Sequence, residues 1–122
     1  MDVSQFLHQV LEELSKLPFV QNVDFHTEVF IVKGKVFLGL KDFLQIYFNA
    51  KTGTTAFSLV KGKKRIWGID YDFLRGWHLH PLENPDDHAI IEPKSVKEIV
   101  ADFASVWQVC KDSKEKKDGD EG

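Results

Sequence analysis

The feature that most constrains this fold is a change in the spacing of apolar residues near residue 20. Before that point they recur about every three to four positions, as in a helix. Over residues 20–73 they alternate with polar residues, between short turns rich in Gly and Lys. A period of two is typical of strands with one buried face, and short turns join antiparallel neighbours. The pattern predicts an antiparallel meander with strands near 20–27, 29–32, 35–40, 43–49, 54–60, 65–73 and 77–82, and turns at 33–34, 50–53 and 61–63.

Two amphipathic helices flank the predicted sheet. Asp2 and Gln5 have capping-box spacing before the first helix, which Pro18 closes, and Ser95 and Glu98 have the same spacing before the second. Each helix has one apolar stripe, which needs a sheet face to cover. We therefore expect an α+β fold, with an antiparallel meander sheet of about 6–7 strands and the N-terminal and C-terminal helices packed on one face.

Length and charge limit the domain organisation and the partners. The 122 residues suffice for one domain, expected at 1–110, and residues 111–122, which lack apolar side chains, are expected to form a disordered charged tail. The N-terminus lacks signal-peptide character and no stretch approaches the roughly 20 apolar residues of a membrane span, so a cytoplasmic location without membrane contact is expected. A net charge of −3 argues against nucleic-acid binding by charge alone, although Lys61, Lys63, Lys64 and Arg65 form a local basic cluster.

Residues 66–81 alternate most strictly and carry the candidate functional residues. The apolar side chains of this segment are expected to face the helices, which places Asp70, Asp72, His78 and His80 on the opposite, polar face. A three-residue loop at 74–76 would set Asp72 opposite His78 and Asp70 opposite His80. Tyr47, Gln45 and Ser58 alternate with apolar neighbours and could share that face.

Three interpretations of this polar face follow from the residues. Carboxylate–imidazole pairs fix the histidine tautomer and suit a general acid or base, but the same alternation would also produce a merely solvated face. In a third interpretation, His78 and His80 supply two metal ligands, with Asp70 or His88 as the third. The favoured interpretation includes no metal and no cofactor. The acidic loop 82–88 is either a solvated connector or a segment that hangs over one edge of the face.

A short pattern resembles a known family. An Asp is followed by His eight and ten residues later, and then by a Val/Ile-rich helix entered through a serine; these are Asp70, His78, His80 and Ser95. In this pattern the chain resembles the TumE-like family of small toxin-type proteins of prokaryotic toxin–antitoxin pairs, over roughly its C-terminal half. The resemblance implies a prokaryotic protein with an antitoxin-like partner, often a helical DNA-binding protein, and action on RNA.

The resemblance also implies roles for particular residues. His78 or His80 would take a proton from a ribose 2′-hydroxyl, the other would protonate the leaving oxygen, and Asp70 would orient one imidazole. The candidate binding residues are Tyr47, Lys63, Arg65, Asp72 and Arg75. The alternative is a non-catalytic protein-interaction module, whose polar face or free strand edge only docks a partner. Self-association into a homo-oligomer is a further expectation.

Overall fold

The computed structural model describes the backbone of residues 1–121 and the side chains of residues 1–112. Two helices, α1 (Val3–Leu14) and α2 (Val96–Glu121), flank seven strands: β1 (Asn22–Thr27), β2 (Ile31–Phe37), β3 (Asp42–Asn49), β4 (Thr55–Lys61), β5 (Lys64–Asp72), β6 (Gly76–His80) and β7 (Ala89–Ile90). The strands form one sheet in chain order, and all neighbouring pairs are antiparallel. The predicted α+β meander is confirmed. The predicted tail at 111–122 lies almost entirely outside the residues whose side chains are described.

Both helices begin at the predicted capping boxes. The Asp2 carboxylate accepts from the Gln5 backbone N–H at 2.8 Å, and the Gln5 side chain accepts from the Asp2 N–H at 3.0 Å. Before α2, the Ser95 N–H donates to Oε1 of Glu98 at 3.0 Å, and the Glu98 N–H donates to Oγ of Ser95 at 3.1 Å. These bonds satisfy N–H groups that a helix start leaves without intrahelical partners. Among the described residues, neither helix combines the length and the apolar character that crossing a bilayer requires.

The two helices pack on one face of the sheet, here termed the inner face. Phe6 of α1 stacks on Phe48 with ring centroids 4.2 Å apart, and the centroid of the Phe103 ring of α2 lies 6.5 Å from that of Trp67. All four rings belong to one core that joins both helices to β2, β3, β4 and β5. The alternate residues of each strand therefore lie on the opposite face, here termed the outer face, which neither described helix covers.

The predicted strands differ from the structure at two places. Lys33 and Gly34 were expected in a turn but lie inside β2, so two predicted short strands form one. Gly34 is paired with Phe25, and a β-carbon on Gly34 would lie 2.5 Å from Cδ1 of Phe25. The glycine therefore makes room for an aromatic ring rather than turning the chain. Strand β7 was not predicted; it pairs with β6 through Ala89 and Ile90.

Candidate functional site

The β5–β6 hairpin brings the three predicted catalytic residues together on the outer face, in a different register. Asp70 pairs with His78, whereas the sequence predicted Asp72 at that position. The loop is residues 73–75, one residue earlier than expected, because Gly76 has φ of 70° and is already paired with Asp72. The register therefore moves by two residues, and a shift of two leaves every side chain on its predicted face.

Three side chains converge on one oxygen atom, Oδ2 of Asp70. Nη2 of Arg65 lies 2.8 Å from it, Nε2 of His80 lies 3.2 Å from it, and Nε2 of His78 lies 3.5 Å from it. His80 makes this contact from a position opposite Gly68, not opposite Asp70 as predicted. We refer to Asp70, His78 and His80 as the Asp–His cluster.

The Asp–His cluster is buried, which excludes the interpretation of a solvated face. The side chains of His78 and His80 are 6% and 8% exposed, that of Asp70 is 17% exposed, and that of Arg65 is 36% exposed. Burying such groups is costly unless they are hydrogen-bonded. Yet Oδ1 of Asp70 and Nε of Arg65 are buried without a hydrogen-bond partner among the described residues. Costly, incompletely paired ionisable groups of this kind are concentrated at functional sites.

Main-chain carbonyl groups hold both imidazoles. Nδ1 of His78 lies 3.1 Å from the Gly76 oxygen, and Nδ1 of His80 lies 3.0 Å from the Pro85 oxygen. A carbonyl oxygen has no proton to give, so each Nδ1–H is the donor. The Nε2 atom of each ring therefore faces the Asp70 carboxylate.

Arg65 reaches the Asp–His cluster because of a β-bulge and a glycine. The register between β4 and β5 shifts at this point, so that β5 contains one extra residue, Ile66. Strict alternation would have turned Arg65 to the inner face; the bulge turns it to the outer face. Its guanidinium then lies over Gly68, in space that a β-carbon would occupy, and contacts Asp70. Burial lowers the pKa of His80, and the nearby Arg65 charge lowers it further, so the neutral imidazole is favoured.

A third histidine, His88, adjoins the Asp–His cluster. Its ring centroid lies 4.4 Å from that of His80 and 5.8 Å from that of His78. His88 is exposed at the end of the loop 81–88, whose Pro85 carbonyl binds His80. The loop therefore hangs over the cluster and is more than a solvated connector. From the sequence, His88 was expected only as an alternative metal ligand, because its place beside the cluster depends on the unpredicted pairing of β7.

The predicted binding residues lie at different distances from the Asp–His cluster. Tyr47 is on the outer face in the same cross-strand row as Asp70, with one strand between them. Asp72 and Arg75 instead close the β5–β6 hairpin: the Asp72 carboxylate accepts from the Arg75 N–H at 2.8 Å, and Nε of Arg75 lies 3.5 Å from its other oxygen. Lys63 is exposed in the β4–β5 turn. The structure thus brings Arg65 to the cluster, keeps Tyr47 near it, and places the other three elsewhere.

The donor atoms of the Asp–His cluster also have the chemistry of metal ligands. Asp70, His78 and His80 each offer one ligand atom, and these atoms all lie within 4.8 Å of one another. Imidazole nitrogen and carboxylate oxygen are common ligands of Zn²⁺ and other first-row divalent ions. The arrangement is therefore suited both to proton transfer and to holding a cation.

Comparisons with protein-family models, with curated proteins and with solved structures each found no match to the chain. The resemblance to the TumE-like family therefore stays a prediction. The geometry itself defines the class of site: a buried carboxylate–imidazole cluster with an adjacent guanidinium and an exposed imidazole.

Proposed function

We propose that this protein is an RNA-cleaving enzyme, the toxin-like component of a prokaryotic toxin–antitoxin pair, with the Asp–His cluster as its catalytic centre. The observation that most supports catalysis is the convergence of two imidazoles of fixed tautomer on Oδ2 of Asp70. Because Nδ1–H is bonded to a carbonyl oxygen, Nε2 is the nitrogen of each ring that can exchange a proton with Asp70 or a substrate. Burying polar atoms without hydrogen-bond partners lowers stability, so a structural role alone does not account for this cluster.

The outer face beside the Asp–His cluster suits a single strand of RNA. Two cross-strand rows lead away from the cluster: His78, Asp70, Ala56, Tyr47 and Lys33 in one, and His80, Gly68, Ser58, Gln45 and Lys35 in the other. An aromatic ring can stack on a base, and lysines can neutralise phosphates. An RNA strand bound along these rows would present a phosphate to Arg65, whose guanidinium is partly exposed.

The proposed reaction is attack of a ribose 2′-hydroxyl on the neighbouring phosphorus. The hydroxyl proton passes to a base supplied by the Asp–His cluster, the bond from O2′ to phosphorus forms, and the bond from phosphorus to O5′ breaks. The leaving O5′ takes a proton from His88, the exposed imidazole of the site. Arg65 stabilises the negative charge on the phosphate oxygens. The products are a 2′,3′-cyclic phosphate and a 5′-hydroxyl.

Cleavage of a fluorescently labelled single-stranded RNA by the purified full chain tests this proposal. Asp70→Asn, His78→Gln and His80→Gln should each lower kcat/KM by about 100-fold or more, with an unchanged circular dichroism spectrum. His8→Gln is the matched control, because His8 lies on α1, away from the outer face, in an exposed pair with Glu12 at 3.8 Å, and it should retain wild-type activity. Undiminished cleavage by all three cluster variants, or no cleavage by the wild type, would refute the proposal.

The toxin-like role has its own test in living cells. Expression of the wild type in a bacterium should arrest growth, expression of the His80→Gln variant should not, and co-expression of an antitoxin-like protein should relieve the arrest. A second candidate function, a non-catalytic interaction module, is favoured by the short edge strand β7, where Ile90 is 91% exposed. In that case a bound partner would be lost on changing Ile90 to Lys and kept on changing His80 to Gln.

A further inference from the structure

We infer that the Asp–His cluster is a binding site for one divalent first-row transition ion such as Zn²⁺, with Oδ2 of Asp70 and Nε2 of His78 and His80 as ligands. From the sequence alone, metal binding was the less favoured alternative; the positions of the donor atoms favour it. The inference rests on the proposed function only in assigning the ion to catalysis; binding itself can be tested without RNA.

The first observation is the convergence of three metal-type donor atoms in the Asp–His cluster. Oδ2 of Asp70 and Nε2 of His78 and His80 lie within 4.8 Å of one another. The Nδ1 atoms of both histidines already contact carbonyl oxygens, so Nε2 is the ring nitrogen that remains for a ligand bond. Oδ2 of Asp70 also accepts from Nη2 of Arg65 at 2.8 Å, and a divalent ion would share this oxygen with the guanidinium or displace it.

The second observation is the spacing of the donor atoms. Oδ2 of Asp70 lies 3.2 Å from Nε2 of His80 and 3.5 Å from Nε2 of His78. Ligand bonds of about 2.1 Å at a tetrahedral angle place two donor atoms about 3.4 Å apart. The two measured distances lie on either side of that value, so the ion can enter with small side-chain movements.

The third observation is the environment of the ligands. Metal-binding histidines commonly donate their other N–H to a backbone carbonyl, as Nδ1 of His78 and His80 do. Oδ1 of Asp70 is buried without a hydrogen-bond partner among the described residues. A cation beside this carboxylate would offset the cost of burying that oxygen without a partner. Three protein ligands leave coordination positions open, which is typical of catalytic rather than structural sites.

The ion would supply a base at the Asp–His cluster. The Nε2 atoms of His78 and His80 contact Asp70, and their side chains are nearly inaccessible to solvent. A cation held by these three residues would lower the pKa of a bound water to about 7, so that this water could accept the 2′-hydroxyl proton. His88 remains free to protonate the leaving oxygen, because its ring adjoins His80 without being one of the three ligands.

Zinc titration of the full chain, stripped with a chelator and dialysed, tests this inference. Calorimetry should give one Zn²⁺ per chain, and Zn²⁺ should raise the Tm of the wild type. Asp70→Asn and His80→Gln should weaken binding by more than the about 10–100-fold that loss of an outer-shell partner costs. Asp24→Asn and His26→Gln, which alter the exposed His–Asp pair, should leave binding unchanged. X-ray absorption at the zinc edge of the wild type should show two imidazole ligands, whether or not the variants fold.

The outcomes separate this inference from the proposed function. Zinc binding at the Asp–His cluster without RNA cleavage upholds the inference and refutes the enzyme. RNA cleavage by a chain that binds no zinc upholds the enzyme and refutes the inference. Binding that survives in Asp70→Asn and His80→Gln, or a zinc edge spectrum without imidazole, also overturns the inference.

Discussion

The guanidinium of Arg65 occupies the space that a β-carbon on Gly68 would fill. An added β-carbon would lie 2.9 Å from both Cζ and Nε of Arg65 and would overlap Nη2. Because the obstructing atoms end a flexible side chain, Gly68→Ala should change the free energy of unfolding by no more than about 1 kcal/mol. It should nevertheless move Arg65 away from Asp70 and lower kcat/KM for RNA about tenfold. Urea denaturation and cleavage kinetics on the same preparation measure the two effects, and an unchanged kcat/KM would contradict this role of Gly68.

Gly34 provides the opposite case, because the obstructing atoms belong partly to the backbone. A β-carbon there would lie 2.5 Å from the Asp24 carbonyl oxygen and 2.9 Å from Cα of Phe25. Gly34→Ala should therefore lower the free energy of unfolding by about 1–3 kcal/mol, the usual cost of overpacking. Cleavage per folded molecule should not change. A smaller loss of stability than for Gly68→Ala would show that β1 can move away from β2 at little cost.

Arg65→Gln should separate metal binding from catalysis. The guanidinium is a positive charge 2.8 Å from the oxygen that the ion would use, so its removal should tighten Zn²⁺ binding by on the order of tenfold. The same variant should cleave RNA more slowly, since the phosphate loses its cation. The Zn²⁺ affinity measured by calorimetry should thus rise, while the rate of RNA cleavage should fall. Weaker Zn²⁺ binding by a folded Arg65→Gln protein would contradict the expected competition.

The capping box of α2 should give stability a specific pH dependence. The Ser95 N–H bonded to the Glu98 carboxylate holds the Glu98 pKa below its usual value of 4.5. A carboxyl group whose pKa falls on folding contributes stability that is complete above its unfolded pKa and disappears as the pH falls through its folded pKa. Glu98→Gln should therefore be less stable than the wild type at pH 7, with the difference shrinking as the pH falls below 4.5. Thermal unfolding of both proteins between pH 3 and 7 measures this difference in stability.

Ser95→Ala is the companion variant for this helix start. It removes the N-cap hydroxyl that accepts from the Glu98 N–H at 3.1 Å, and should cost about 1 kcal/mol at pH 7. Because the hydroxyl does not titrate in this range, most of that loss should persist at pH 3. Equal pH profiles for the two variants would argue against a special contribution from the Glu98 carboxylate.

The loop 81–88 should matter for metal affinity through a single carbonyl group. The Pro85 oxygen accepts from Nδ1 of His80 and fixes the ring with Nε2 toward Asp70. Replacing residues 83–87 with two glycines removes this acceptor and should weaken Zn²⁺ binding about 10–100-fold without unfolding the sheet. An affinity equal to that of the wild type would show that the loop does not orient His80.

Much of the fold is visible in the sequence because its signals are local. Capping boxes identify both helix starts, and alternation identifies the face of Asp70, His78 and His80 even though their register was predicted two residues away. Gly34 was predicted to lie in a turn because a glycine beside a lysine is typical of turns. In the structure it instead accommodates the Phe25 ring of a neighbouring strand. Such long-range causes leave no local pattern.

The site itself was harder to predict than the sheet. Alternation assigns Arg65 to the inner face, and only the extra residue at Ile66 reverses that assignment. The burial of His80 depends on a main-chain carbonyl in a loop, and a carbonyl group is common to every residue type. The sequence could therefore name the residues of the Asp–His cluster, but not their depth or the carbonyl contacts of the two Nδ1 atoms.

Finally, the meander places every side chain of the site on one uninterrupted segment, residues 65–88. Its geometry is set by the number of residues in two hairpin connections and one bulge, rather than by the meeting of distant parts of the chain. A substitution in β1 or β2 would reach it only through two or more intervening strands. A single insertion or deletion in a strand between residues 70 and 78 would instead shift the β5–β6 pairing by one residue and turn either Asp70 or the two histidines to the other face. In that segment, substitutions should therefore disturb the site far less than insertions or deletions.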